Sequence, residues 1–346
     1  MSPLKAELTP RQQEILRRLV QEHVTTGQPV GSKTLVERCG VNGSPSTVRN
    51  ELAELEAKGL LTHPHTSAGR VPTERGYRFF AADLLERLEP RPRAFELGLA
   101  PNEAEVDVAL QETTEKLSRA TRLLALVSAP PLETTTVRHV EVLLLQADVV
   151  MVVVITSTGA VTKRISTFED PIDAGIAAWA GEYLNERVAG VQLGTHMLRN
   201  RLEDPSFSPR ERAFMDAIRP AFTEVLDEAE RLFVGGAAGL LDDVRAEELG
   251  AYRRVLELLE QRARFGELLR QAQLPNRPFV RVGVELEAQG LRDVALVGAA
   301  YGVTTRSLGA VTLLGPLRMD YDLAITSVRS AASALSRFVE ELYETN

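Results

Sequence analysis

The chain has 346 residues, 44% hydrophobic and 25% charged, a globular composition with room for two or three domains. Its longest apolar run, Val149 to Ile155, is far too short to span a bilayer, and no apolar stretch follows Met1-Ser2-Pro3-Leu4-Lys5. Neither a membrane span nor a signal peptide is expected, and the cytoplasm is the natural compartment. The single cysteine, Cys39, excludes an internal disulfide framework and a cysteine-rich zinc site. The net charge of −8 is uneven: residues 1–80 carry +3, the remainder −11, and three of the five histidines fall in the first part. A mildly basic module on an acidic body points to a polyanion partner for the front end only.

The first element is a helix with Thr9 as N-cap, Pro10 at its first position and Gly27 at its end. Ile15, Leu16, Leu19, Val20 and Val24 recur on one face. "PVGSKTLVERCG" predicts an extended Pro29-Val30, then a short helix with Ser32 as N-cap, Leu35 and Val36 inward and Gly40 as C-cap. "SPSTVRNELAELEAKG" predicts a third helix, capped by Ser44, started by Pro45 and stopped by Gly59, with Val48, Leu52 and Leu55 buried. "LLTHPHTSAGRVPT" reads as two short strands around a turn. Thr73 then opens a helix with Tyr77, Phe80, Ala81, Leu84, Leu85 and Leu88 apolar. Helix, short helix, helix and hairpin, in that order, make a winged helix-turn-helix over residues 1–89. The proline-bearing stretch 90–101 reads as its linker.

Further on, Val140–Leu145, Val149–Ile155 and Ala160–Ser166 are β-rich and separated by short turns, a meander. A helix around Ile172–Asn185 follows, and 196–274 are helical in pattern almost throughout. Strands return at Phe279–Leu286, Val294–Tyr301 and Ala310–Leu314, before an amphipathic helix over Met319–Tyr343. Strands on both sides of a helical block predict one α+β domain, 102–195 with 275–346, interrupted by a helical insertion at 196–274. The fold class is α+β multidomain.

With Val48, Leu52 and Leu55 inward, Ser46, Asn50 and Ala53 face the other way, flanked by Arg49 and Thr47. Arg pairs with guanine and Asn with adenine in bidentate fashion, and small neighbours let a helix sit deep in a major groove. Any surface helix turns polar residues outward; the preceding short helix and the following hairpin lift this one above that reading. Ser32 and Lys33, at the start of the short helix, suit a phosphate oxygen. The hairpin tip, with His65, Thr66, Ser67, Gly69 and Arg70, suits a DNA backbone, with hydroxyls on phosphates and Arg70 entering the minor groove. His63 and His65 are badly spaced for two metal ligands on one face, and no carboxylate cluster accompanies them, so no metal is expected. "VGGAAGLL" at Val234–Leu241 follows a helix rather than a strand, which argues against a phosphate cradle. Cys39 ends an apolar helix face and reads as buried rather than reactive. No paired carboxylates or Ser/His/Asp set stand out by spacing; neither an enzyme nor a cofactor is expected.

"PVGSKTL", "STVRNELAELEAKGLL" and "HPHTSAGRVPTERGYR" closely resemble the heat-inducible transcription repressor family, HrcA. "VVVITSTGAVTKR" and "LGAVTLLGPLRMDY" extend the resemblance, with Leu317 standing where the family usually has threonine. The resemblance implies a homodimeric repressor of chaperone operons that binds double-stranded DNA at an inverted-repeat operator and is supported by a GroE-type chaperonin. It implies a winged-helix domain, a GAF-like domain and a dimerising domain inserted in the latter, with 196–274 supplying much of the dimer contact. Loss of the fold on heating, with recovery through chaperonin, would relieve repression. The alternative is a repressor that senses a small molecule through its GAF-like domain. The run Gly315–Tyr321 reads as a turn feeding a helix, with Asp320 favourably placed near the helix N-terminus, and carries no assigned role.

Overall fold

The computed structural model describes residues 8–64, 69–89, 92–96, 106–130, 136–157, 161–223, 232–236, 250, 253–255, 257, 277–303 and 306–344. The head begins with α1 (Pro10–Thr26), α2 (Ser32–Glu37) and α3 (Pro45–Ala57). Thr9 caps α1 in a capping box with Gln12, and Gly27 ends it at φ 63°, a left-handed conformation open to glycine. Ser44 caps α3 as its sequence predicts. The short α2 differs: Gly31 is its N-cap and makes no side-chain bond, Arg38 is its C-cap, and Ser32 is a buried first-turn residue. Strands β1 (Leu61–Thr62) and β2 (Val71–Pro72) pair antiparallel, and an isolated antiparallel bridge from Val30 to Arg70 ties the segment before α2 to the wing. Gly69 is required there by crowding rather than by turn geometry, since a Cβ would meet the Val30 backbone at 2.6 Å. Thr73 caps α4 (Glu74–Glu86), which closes the head.

The body holds α5 (Val106–Thr121) and β3 (Leu124–Ser128), followed by β4 (Val137–Gln146), β5 (Val149–Thr156) and β6 (Val161–Thr167). Helices α6 (Ala174–Arg187), α7 (His196–Leu202), α8 (Pro209–Ile218) and α9 (Pro220–Thr223) come next. Strands β7 (Leu232–Gly235), β8 (Phe279–Val282), β9 (Val294–Val303) and β10 (Arg306–Pro316) precede α10 (Tyr321–Glu344). Two antiparallel sheets result. One has the order β7-β3-β10-β9-β8; the other is β4-β5-β6.

This arrangement corrects the sequence reading in four places. The meander β4–β6 does not share a sheet with the later strands: it pairs only within itself and buries Val140, Val150, Val152 and Val154 against Leu184, Phe214, Ile218 and Phe222 of α6, α8 and α9. Within the stretch expected to be helical almost throughout, Leu232–Gly235 is a strand that pairs with β3. Pro220, which lacks a backbone N–H, separates α8 from α9. The expected strand Phe279–Leu286 stops at Val282 and turns into a 3-10 helix over Gly283–Gln289. The helical pattern read in 246–271 lies almost wholly outside the described residues.

The central strands of the five-stranded sheet are covered on both faces, so β3 and most of β9 are buried continuously rather than in alternation. In β3, Ala125 and Val127 face the core shared with α5 and α10, while Leu124 and Leu126 join Leu286, Leu291 and Leu296 on the other side. The head is continuous with the first of these cores. Tyr321, at the start of α10, is fully buried with its ring 6.0 Å from Tyr77 and 6.3 Å from Phe80 of α4. Burial, with a smaller contribution from Tyr77, pushes its phenol well above the usual tyrosine range.

Candidate nucleic-acid interface

Helix α3 stands on α1 and α2 through Val48, Leu52 and Leu55, all buried. The 100° step then turns Ser46, Thr47, Arg49, Asn50, Ala53 and Ala57 to solvent, and each is exposed. The Ser44 hydroxyl accepts from the Thr47 amide at 3.2 Å and lies 2.8 Å from Ser46 Oγ and 2.9 Å from Thr47 Oγ1. Three hydroxyls are thereby gathered at the N-terminus of the helix, the end that recognition helices present to base edges.

The helix also carries Glu51, Glu54 and Glu56, which would repel a phosphate backbone. Each is drawn aside. Gln12 Nε2 donates to Glu51 Oε2 at 3.1 Å and Glu54 Oε2 at 2.6 Å, and Arg11 Nε lies 3.6 Å from Glu51. Glu56 turns to the wing, pairing with His63 and with Arg70 Nε at 2.7 Å. Arg49 and Asn50 make no such contact among the described residues and remain the projecting donors of this face. Arg11 also donates to the Asn42 carbonyl at 2.9 Å, fixing the loop that leads into α3. Sequence reasoning missed Arg11 and Gln12 because their partners lie some 30 to 45 residues away; the only signal was two polar residues opening an otherwise apolar-faced helix.

Of the other expected contacts, Lys33 is exposed at the start of α2, whereas Ser32 is buried behind it. Arg70 is half-buried and held by Glu56, and its backbone pairs with Val30 in both directions at 2.9 Å. The structure therefore shows Arg70 bracing the wing stem against α3 rather than projecting freely. His65, Thr66 and Ser67 lie outside the described residues. His63 is tied to Glu56, and no group of three or more His, Cys, Asp or Glu converges as a metal site among the described residues. Cys39 is half-buried, and burial together with the neighbouring Glu22 carboxylate raises its thiol pKa. No helix among the described residues is long and apolar enough to cross a membrane.

A helix-turn-helix with a β-hairpin wing, an outward row of Arg, Asn and hydroxyls, and a separate mixed α/antiparallel-sheet body define a DNA-binding transcription regulator. The comparisons agree and are more specific. The LexA DNA binding domain family matches residues 5–69, and the HrcA protein C-terminal domain family matches residues 107–325. The heat-inducible transcription repressor HrcA of Nocardia farcinica is 35% identical, over 99% of this chain and the whole of that protein. That of Acidothermus cellulolyticus is 36% identical over 96% of this chain and 99% of its own length. The crystal structure of a hypothetical protein, 23% identical, has the same fold at a TM-score of 0.63, covering 97% of this chain and 99% of that one. This chain belongs to the heat-inducible transcription repressor HrcA family; its role is transcriptional repression, not catalysis.

Proposed function

We propose that the chain works as a homodimer that represses chaperone genes by placing two α3 helices on an inverted-repeat operator in double-stranded DNA. The observation that carries this reading is the outward face of α3, where Arg49, Asn50, Ser46 and Thr47 project while the three neighbouring glutamates are drawn away. Lys33, the wing tip with His65, Thr66 and Ser67, and Arg70, once it exchanges Glu56 for a phosphate, add sequence-independent affinity. An inverted repeat suits a protein two-fold axis.

The dimer is supported by the sheet β4–β6. Its inner face is packed, but its outer face carries Leu143, Leu145, Val161 and Ile165 at 37%, 48%, 48% and 60% exposure, beside the half-buried Met151, Val153 and Ile155. Glu141 and Lys163 flank Val153 on this face and divide it into two apolar rows, Leu143–Met151–Ile165 and Ile155–Val161; exposed apolar area of this kind marks an interaction surface, and a second copy presents the same face. We accordingly place the dimerising insertion at the elements spanning 137–223, earlier in the chain than the 196–274 anticipated, with the flanking elements as the GAF-like domain. Dependence on a GroE-type chaperonin fits a sheet assembled from strands far apart in sequence, which folds slowly and exposes apolar surface meanwhile.

The test is binding of the purified chain to an inverted-repeat duplex and to a scrambled one at two salt concentrations. Tighter binding to the repeat, with affinity falling steeply as salt rises, supports the reading; equal affinities overturn it. Refolding yield with and without chaperonin tests the last step, and equal yields reject it.

A further inference from the structure

The segment Gly315–Tyr321 joins the last strand of the sheet to α10, yet its side chains reach into the head. Arg318 Nη1 donates to the carbonyl of Val24 at 3.0 Å, across 294 residues. Val24 lies in the last turn of α1, where carbonyls have no partner within the helix and the helix dipole is negative, so a guanidinium is doubly favoured. Three residues on, Tyr321 wedges between Tyr77 and Phe80 while its hydroxyl donates to the Leu317 carbonyl at 2.8 Å. Met319 is buried in the same core.

A second seam lies along the outer side of α4. Glu74 accepts from the Val284 amide at 3.2 Å and lies 3.6 Å from Arg292, while Arg78 meets Glu285 at 3.0 Å. Gly283, at φ 58°, leaves room for the Glu74 carboxylate that a side chain would fill. These groups border an open cleft of about 620 Å³ between head and body. Solvated ion pairs of this kind contribute little, because water screens them and ordering the side chains costs entropy. The buried aromatic contacts and the Arg318 bond are therefore the stronger attachment.

We propose that Arg318 and Tyr321 are positioning residues for operator recognition: they fix the angle at which α3 stands to the body, so that a dimer accepts one spacing between half-sites. The proposal rests on the dimer-and-operator reading above. A segment needed only to close the sheet would have no reason to send a half-exposed arginine to the end of α1. The joint acts through geometry, since neither residue lies on the outward face of α3.

The experiment uses the full chain and inverted-repeat duplexes that the wild type selects from a randomised pool, at the selected spacing and with two base pairs inserted. Two base pairs rotate one half-site by roughly 70° relative to the other. A rigid pair of heads then loses its bivalent advantage, and the wild type should bind the stretched duplex about tenfold or more weakly. Arg318→Ala should shrink that penalty to about threefold, with single half-site affinity unchanged, and Arg318→Lys should restore it. A variant that merely destabilised the fold would weaken all duplexes alike. An unchanged spacing penalty in Arg318→Ala overturns the proposal. Spin labels at Glu37→Cys in the head and Val108→Cys in the body, in a Cys39→Ser background, test the joint without DNA. Arg318→Ala should widen their distance distribution, and an unchanged distribution again overturns the proposal. Failure of the wild type to select any inverted repeat, alongside a widened distribution, would reject the operator reading and uphold the joint.

Discussion

Arg49 and Asn50 project from a helix whose glutamates are all engaged elsewhere, so their contribution should be to discrimination more than to overall affinity. Arg49→Ala is expected to lower the ratio of operator to random-DNA affinity by about 1–3 kcal/mol, relaxing preference at one position in each half-site. Competition titrations against scrambled duplex measure it, and an equal loss on both DNAs would make Arg49 a phosphate contact. Cys39 makes a chemical prediction. Burial and Glu22 raise its pKa, so at neutral pH it holds less thiolate than an unperturbed thiol. Alkylation by iodoacetamide should therefore be slower in the folded chain than in the urea-unfolded chain, with the reactive form appearing only as pH rises. Arg70 shows how much a residue's neighbours add to its type. Its place at the end of a small, polar hairpin tip reads as a DNA contact, and Glu56, fourteen residues earlier on α3, lies 2.7 Å from its guanidinium as the partner a phosphate would have to displace.

Helix caps carry both stability and the shape of the interface. Ser44→Ala removes the bond to the Thr47 amide and should cost about 1 kcal/mol of stability, read as a lower Tm of the full chain. It should also weaken operator binding, because the Ser46 and Thr47 hydroxyls lose the atom that gathers them. Such elements were legible in the sequence because caps and helical stripes are local. Thr9-Pro10, Ser44-Pro45 and Thr73 all sit where the chain enters a helix. What escaped was pairing. β-rich runs between short turns announce β4, β5 and β6, but not which strands they join, and nothing local separates a meander in a shared sheet from one with its own core. Strand β7 is only four residues long, and its neighbour β3 is buried on both faces, so neither shows the alternation that marks a strand. At the interface, the exposed row on α3 followed from helical spacing; the Gln12–Glu51–Glu54 and Glu56–Arg70 contacts depended on a fold that brings distant residues together.

At the scale of the molecule, the proposed function divides the labour between two surfaces: the α3 face for DNA and the outer face of β4–β6 for a second copy. Ile165→Asp tests the second. Because Ile165 is 60% exposed, the substitution should change monomer stability by no more than about 0.5 kcal/mol. It should convert the dimer to monomer in sedimentation and abolish the preference for an inverted repeat over a single half-site; a dimer that persists would place the interface elsewhere. The order β7-β3-β10-β9-β8 has a consequence in time as well as space. Strand β10, residues 306–316, lies between β3 and β9, and it is made after every other strand of that sheet. Chains leave the ribosome N-terminus first, so a complete recognition helix emerges long before the sheet that should hold it can close. Arg318 and Tyr321, which fasten the head, emerge later still. If the proposed operator reading holds, a nascent chain could touch a half-site but could not measure the distance to its mate; only when synthesis has passed Tyr321 would one reading head become half of a ruler.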